Sequence, residues 1–166
     1  MVIWLPVVGW ENYYEVSDSG HVRTIARTVT VPTSGRSWWQ ESRILRPYRT
    51  SSVGYLTLKL KAEGRAQARR IHSLVLEAFV GPRPPGMVAC HIDGDHDNNT
   101  PSNLRWDTQA ANIRDLIRHG KHVHLNKTHC KRGHLFDGLN TYVNPSSGGR
   151  QCRQCMRDAR VRASAG

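Results

Sequence analysis

Four residues near the C-terminal end have the types and spacing of a metal site. Cys130, His134, Cys152 and Cys155 read C-x3-H-x17-C-x2-C within THCKRGHLFDGLNTYVNPSSGGRQCRQCMRDAR. Two close pairs separated by a loop can set four sulfur and nitrogen donors tetrahedrally about one ion, and Zn²⁺ is the ion such donors suit. A closed set of four leaves no position for water or phosphate, so the metal expected here is structural. It would stabilise a segment too small to fold on apolar burial alone. Lys131-Arg132-Gly133 fits the knuckle turn of the first pair, and Pro145 to Gly149 mark a bend before the second. His129 is the alternative histidine, with worse chelate geometry because it adjoins Cys130. In a reducing compartment these thiols are not expected to pair as disulfides.

A second region offers harder donors. His91 opens the stretch HIDGDHDNNTPSN, crowded with Asp and Asn oxygens. A neutral imidazole, with an ordinary pKa of about 6.5, can accept a proton from water at neutral pH. Carboxylate and amide oxygens suit a hard divalent cation. Taken alone, Asp93-Gly94 with Asp95, Asp97, Asn98 and Asn99 also reads as turn chemistry or a weak Ca²⁺ loop. The glutamate that would close an EF-hand is absent, and the flanks do not read as a helix pair.

The longer segment VACHIDGDHDNNTPSNLRWDTQAAN, Val88 to Asn112, resembles the HNH nuclease motif of phage-encoded and intron-encoded homing endonucleases. His91, Asn103 twelve positions later and Asn112 nine further carry the match. The resemblance implies a ββα-metal unit with these three as the catalytic core. His91 would be the general base and Asn112 a ligand of Mg²⁺ or Mn²⁺, while Asn103 would tie down the loop. Cys90 departs from the pattern, because relatives often place Asp or His there as a second ligand, and Cys is a poor ligand for Mg²⁺. Either Cys90 is a buried filler and a nearby oxygen such as Asp93 completes the site, or the site prefers a softer ion such as Mn²⁺ or Zn²⁺. WENYYEVSDSGHVRTI resembles the N-terminal modular element of the same enzymes, a DNA-contacting or positioning module. The stretch Gly54 to Gly81 resembles their lead-in to the catalytic strand, with Ser73 in place of an Arg. His72 there could approach a phosphate, though capping or packing is its expected use.

These residues need elements to carry them. Trp4 to Ile25 alternates aromatic and β-branched residues around the turn signal Ser17 to Gly20, which predicts short strands about a hairpin. Trp4, Trp10, Tyr13, Tyr14 and Val16 are the expected small core of that module. Residues 26–50 are polar and read as a basic loop. Gly54 to Leu60 has the period of two of a half-buried strand, with Leu56, Leu58 and Leu60 on one face. Ile71, Leu74, Val75, Ala78 and Phe79 recur at helical spacing before Gly81 and Pro82. Pro82 to Gly86 is then a rigid linker. Met87 to His91 and Leu104 to Trp106 read as strands, followed by a helix capped by Thr108 and closing near Gly120. The fold class expected is α+β: a small N-terminal β-rich module over 1–60, a ββα-metal HNH nuclease core over 61–122, and a C-terminal zinc-finger-like module over 123–166. Residues 162–166 are expected to fray.

Charge says what such an assembly would meet. The 166 residues carry a formal net charge of +11. Residues 1–90 hold 12 Lys/Arg against 6 Asp/Glu, residues 91–113 hold 1 against 4, and residues 114–166 hold 11 against 3, net +6, −3 and +8. A basic frame around an acidic centre suits a metal-dependent nuclease on double-stranded DNA, since Lys and Arg gain affinity by releasing condensed counterions. Arg23, Arg27, Arg43 and Arg46, with Arg36 and Arg49, are the candidate phosphate contacts of the first module. Arg157 and Arg160, followed by Arg162, recur at helical spacing after the last cysteine, as on a basic helix lying along DNA. No apolar run approaches a membrane span and the first ten residues lack a signal peptide's pattern, so an intracellular monomer is expected, in the bacterial host cytoplasm if phage-encoded. A non-catalytic zinc-containing DNA-binding protein is the alternative from another class, and a packaging or defence nuclease the alternative role.

Overall fold

The computed structural model describes residues 1–31, 33–50, 54–121, 126–146 and 148–164. They form two compact units, Met1–His119 and Gly120–Gly166. Both mix short antiparallel sheets with helices, an α+β architecture.

The first unit opens with a three-stranded sheet, β1 (Trp4–Pro6), β2 (Tyr14–Ser17) and β3 (Val22–Thr24), paired in chain order. The Ser17 to Gly20 signal makes the β2–β3 turn, closed by the Gly20 N–H on the Ser17 carbonyl at 3.1 Å. Residues 26–50 are not the loop expected. β4 (Arg27–Thr30) and β5 (Ser37–Gln40) form a hairpin whose Trp38 and Trp39 stand exposed, and β6 (Tyr48–Arg49) joins a second sheet. Backbone pairing needs no apolar face, so a polar sequence hides such strands.

That second sheet runs β6-β7-β8, with β7 (Leu56–Ala62) at its centre and β8 (Arg65–Arg70) on its far side. Glu63 and Gly64, at φ 49° and 73°, make the tight β7–β8 turn, the backbone that a two-residue hairpin loop prefers. β8 runs directly into α1 (Ile71–Phe79). α1 buries Ile71, His72, Leu74, Val75 and Leu76, and its apolar face packs against sheets on several sides. The resulting cluster joins Val7, Trp10, Tyr14, Val16 and Val22 to Leu58, Leu60, the α1 residues and Leu104, so one core runs across residue 60. The Tyr14 hydroxyl adds a polar tie, donating to the Lys61 carbonyl at 2.8 Å and accepting from the Lys61 N–H at 2.9 Å.

Next come β9 (Met87–His91), a short 3-10 turn (Pro101–Asn103), β10 (Leu104–Thr108) and α2 (Gln109–Arg118). β9 and β10 pair antiparallel with His91 opposite Leu104 and Cys90 opposite Arg105. Thr108 caps α2, its hydroxyl accepting the Ala111 N–H at 3.2 Å. In the second unit β11 (Thr141–Val143) and β12 (Arg150–Cys152) form a hairpin that leads into α3 (Arg153–Ser164). Residues 162–164 are helical, against the expected fraying; Ala165 and Gly166 lie outside the described residues, as does Ser147 within the expected bend. Among the described residues no helix is long and apolar enough to cross a membrane.

Candidate functional site

His91 ends β9, 5% exposed, where the strand hands over to the Asp/Asn-rich loop. Its Nε2 lies 3.2 Å from Asn99 Oδ1. Its ring stacks on Tyr55, with centroids 5.9 Å apart and planes 11° from parallel. His72 meets the same ring edge-on at 5.2 Å, and His96 sits at 5.5 Å. The Arg70 guanidinium covers the Tyr55 ring at 5.0 Å. Burial, helped by the charge of His96, lowers the His91 pKa, against the Asn99 hydrogen bond and the Asp93 and Asp95 carboxylates. His72 is pushed further, to about 3, by burial first and then by His91, Arg70 and His96. Its place is inside the packing, as its position on the apolar face of α1 requires.

Asn103 is held in a separate knot. Its Oδ1 accepts the Asp93 N–H at 3.0 Å, while its Nδ2 donates to Asp93 Oδ1 at 2.9 Å and to the Asn98 carbonyl at 2.8 Å. Its own carbonyl takes the Ile92 N–H at 2.8 Å. Asp93 also receives the Asp95 N–H and the Asn98 amide, at 2.8 and 2.7 Å. Burial would raise the Asp93 carboxyl, but those donors outweigh it and hold the group below the usual carboxylate range. The loop is thus closed on itself by polar bonds.

Asn112 lies one turn into α2 and lines a cavity of about 210 Å³ with Tyr55, His72, Arg70, Arg83 and Gln109 among its walls. Neither Asp93 nor Cys90 is among the residues lining it. Cys90 is 1% exposed, and burial raises its thiol, which donates to the Val88 carbonyl at 3.7 Å. That is the environment of a filler. Opposite it, Arg105 donates to Asp107 at 2.9 Å and pairs with the buried Asp115 of α2. Asp115 also receives Arg118 at 2.7 Å. Asp115 stands one turn beyond Asn112, so this network fixes the rotation of the helix that carries Asn112.

In the second unit, the ligand atoms of Cys130, His134, Cys152 and Cys155 all lie within 4.8 Å of one another. Cys130 Sγ is 3.7 Å from Cys155 Sγ, and His134 Nδ1 is 3.6, 3.5 and 3.3 Å from the sulfurs of Cys130, Cys152 and Cys155. Sulfurs at about 2.3 Å from a tetrahedral ion sit about 3.8 Å apart, so the cage matches one ion. The N–H groups of Arg132 and Cys155 and the Asn140 amide point at the sulfurs of Cys130 and Cys152 from 3.3 to 3.4 Å, the outer hydrogen bonds that orient metal ligands. His129 is outside the cage and shares a hydrogen bond with its neighbour Thr128. The Gly133 N–H closes the Cys130 turn at 3.0 Å, as the knuckle spacing predicts.

The candidate phosphate contacts differ in availability. Arg23 pairs with Glu15 at 2.7 Å and covers the Trp4 ring. Arg27 lies over Tyr13. Arg49 grips Asp97 through both carboxylate oxygens, at 2.5 and 2.6 Å. Arg36, Arg43 and Arg46 are exposed and form no ion pair with a described residue. On α3, Arg157 and Arg160 share a groove with Tyr142 and Arg153, a cation that the sequence reading passed over because it precedes the last cysteine. Tyr55, His96 and Asn99 were also missed as partners of His91, since nothing in their local spacing announces a contact made across the fold.

Residues 3–61 match the NUMOD4 motif, and residues 69–114 match the HNH endonuclease family. The DNA endonuclease I-HmuI of Bacillus phage SP01 is 29% identical over 117 residues, 70% of this chain and 59% of its own length. An uncharacterized HNH endonuclease of Acanthamoeba polyphaga mimivirus is 31% identical over 120 residues, 69% of this chain and 26% of its own. A solved structure described as DNA binding and cleavage by the HNH homing endonuclease I-HmuI superposes with a TM-score of 0.55 at 30% identity, covering 72% of this chain and 60% of that one. The chain therefore spans about three fifths of I-HmuI and a smaller part of the mimivirus protein. The second unit lies beyond both family matches. With a NUMOD4 motif over residues 3–61 ahead of an HNH endonuclease match over residues 69–114, His91, Asn103 and Asn112 lie in the segment that this chain shares with HNH endonucleases.

Proposed function

We propose that this chain is a divalent-metal-dependent endonuclease that hydrolyses phosphodiester bonds in double-stranded DNA, of the phage or mobile-element homing type. The observation that carries the reading is His91, an imidazole kept uncharged by burial at the end of the first strand of an HNH ββα unit. Uncharged, it can accept the proton of an attacking water while the P–O3′ bond breaks, leaving 5′-phosphate and 3′-hydroxyl ends. Asn112 would offer an amide oxygen to the ion, with substrate phosphate oxygens and water completing its shell, as Mg²⁺ and Mn²⁺ commonly bind. When bound, the ion neutralises charge building on the phosphoryl group and the departing oxygen. Asp93 is a second candidate ligand, outside the lining that Asn112 shares, and its loop donors hold its carboxyl below the usual range. Asn103 braces the loop that His91 opens, supported by its hydrogen bonds to Ile92, Asp93 and Asn98.

The division of labour follows the segments. Residues 1–60 position DNA, residues 61–122 cut it, and residues 123–166 clamp it through a Zn²⁺-held module carrying Arg157 and Arg160. Cys130, His134, Cys152 and Cys155 hold that Zn²⁺, a donor set and spacing suited to a closed structural site. Arg43 and Arg46 contribute phosphate contacts on the first segment, with Arg23 and Arg27 sharing their charge with aromatic rings.

The test is cleavage of supercoiled plasmid by wild type and His91→Ala with EDTA, Mg²⁺ or Mn²⁺, beside a DNA-binding assay. The expected result is nicking or linearisation that needs the ion, and a loss of about 100-fold or more in the variant with binding retained. Binding without cleavage by both proteins, under every ion and on cognate target DNA, would favour a DNA-binding protein that has kept the fold. The burial of Cys90 at a position where relatives carry a ligand is the observation on that side.

A further inference from the structure

As a general base His91 has a proton to accept, and the contact with Asn99 bears on which ring nitrogen accepts it. Asn99 is 4% exposed, and its amide orientation follows from its donors, for Nδ2 points at the carbonyls of His96 and Asp97 at 3.3 and 3.1 Å. Its Oδ1 therefore faces His91 Nε2. An amide oxygen only accepts, so Nε2 carries the proton and Nδ1 holds the lone pair. Nδ1 makes no hydrogen bond to a described residue.

An asparagine amide turns easily about its last torsion, so something must hold it. Behind Asn99 stands Gly20, in the β2–β3 turn of the N-terminal sheet. A Cβ on Gly20 would lie 2.8 Å from Asn99 Cβ, closer than real side chains approach, and a tight 3.2 Å from the Asn99 backbone carbonyl oxygen. The same loop is gripped from the N-terminal side at two further points, by Arg49 on Asp97 and by the Tyr55 ring against His91.

We propose that Asn99 is a positioning residue that fixes His91 as the Nε2–H tautomer with Nδ1 as the base, and that the Ser17–Gly20 turn backs Asn99 in that pose. The NUMOD4 segment then forms the rear wall of the cutting centre in addition to any contact with DNA. Its effect on rate rests on the nuclease reading; the hydrogen bond and its backing do not.

Two measurements separate these. Long-range ¹⁵N–¹H correlation on the metal-free full chain should show His91 with Nδ1 bare and a slowly exchanging proton on Nε2. In Asn99→Ala that proton should exchange fast, and kcat on plasmid should fall about 100-fold, the scale of a misplaced reacting group, with KM unchanged. Gly20→Ala should lower kcat about 10-fold or more. Gly9→Ala is its control, because Gly9 has the same backbone strain, φ +77° against +76°, but nothing within 4 Å of an added Cβ. That variant should keep wild-type kcat. The proposal is overturned if wild-type His91 carries its proton on Nδ1, if Asn99→Ala leaves kcat intact, or if the two glycine variants lose equally. If wild type cuts no DNA at all, the nuclease reading falls, while the ring signals still decide whether Asn99 orients His91.

Discussion

The His72 ring is 3% exposed and meets other rings, Tyr55 edge-on at 4.6 Å and His91 at 5.2 Å, with no hydrogen bond to a described residue and no carboxylate beside it. Its charged form has nothing to offset desolvation, so its pKa in the folded chain, about 3, lies far below the ordinary histidine value of 6.5. The unfolded chain therefore binds the extra proton first as pH falls. The stability gained from a neutral His72 is complete above about pH 6.5 and drains away down to about pH 3, a loss on the order of several kcal/mol. Urea unfolding at pH 7 and pH 4.5 should show it, and His72→Phe should flatten the difference. His91 shifts the same way, so the acid limb of kcat/KM against pH should fall below the ordinary histidine range, not at it. A limb at or above pH 6.5 would contradict a desolvated base. The motif brought His91, Asn103 and Asn112 forward as candidates because their order and spacing are local. Asn99 was visible only as one Asn among several, and Tyr55, thirty-six residues upstream of His91, carried no signal at all.

At the scale of elements, the ββα unit depends on a charge network between strand and helix. Arg105 on β10 bridges Asp107 and the 7%-exposed Asp115 on α2, and Arg118 shares Asp115. Asp115→Ala would leave the partly buried Arg105 guanidinium with Asp107 alone and take the partner from Arg118. Its cost should fall between that of a surface pair and that of a buried one, about 2 kcal/mol, lowering the Tm of the first unit by several degrees. Because the helix carries Asn112, metal-dependent cleavage should weaken as well, while Arg118→Ala, removing the more exposed partner, should change Tm little. The helix α1, the strand β9 and the cap of α2 were readable because burial on one face imposes a period on the sequence. β8, with RAQARR, was not. It exists because β7 offers it a ladder across the Glu63-Gly64 turn, and its own side chains are mostly exposed.

Across the whole molecule, the two units are stabilised by different means. Among the described residues the first has an apolar cluster of twelve buried residues, and in the second Cys152, a member of the ligand cage, is the buried hydrophobic residue. Stripping the metal with a strong chelator should therefore abolish the ellipticity and cooperative melting of Gly120–Gly166 and leave the transition of Met1–His119 in place, readable by calorimetry with and without added Zn²⁺. The net charge of +11 should make DNA affinity fall steeply with salt. Arg157→Ala with Arg160→Ala should lower the slope of log K against log[salt] by about 2, if each meets one phosphate. Cysteine spacing pointed to a metal-held C-terminal segment, expected over 123–166. The continuity of one core across residue 60 was not legible, because it is set by which faces meet after folding.

The β4–β5 hairpin has an optical consequence. Of five tryptophans, Trp38 and Trp39 are 48% and 60% exposed on this one ribbon, while Trp10 is 4% exposed in the core. The long-wavelength edge of the intrinsic emission therefore reports the hairpin, and iodide should quench that edge first. A ligand that covers the ribbon would shift the emission to the blue and shield it from iodide without any label being attached. A ligand that binds elsewhere would leave the signal as it was.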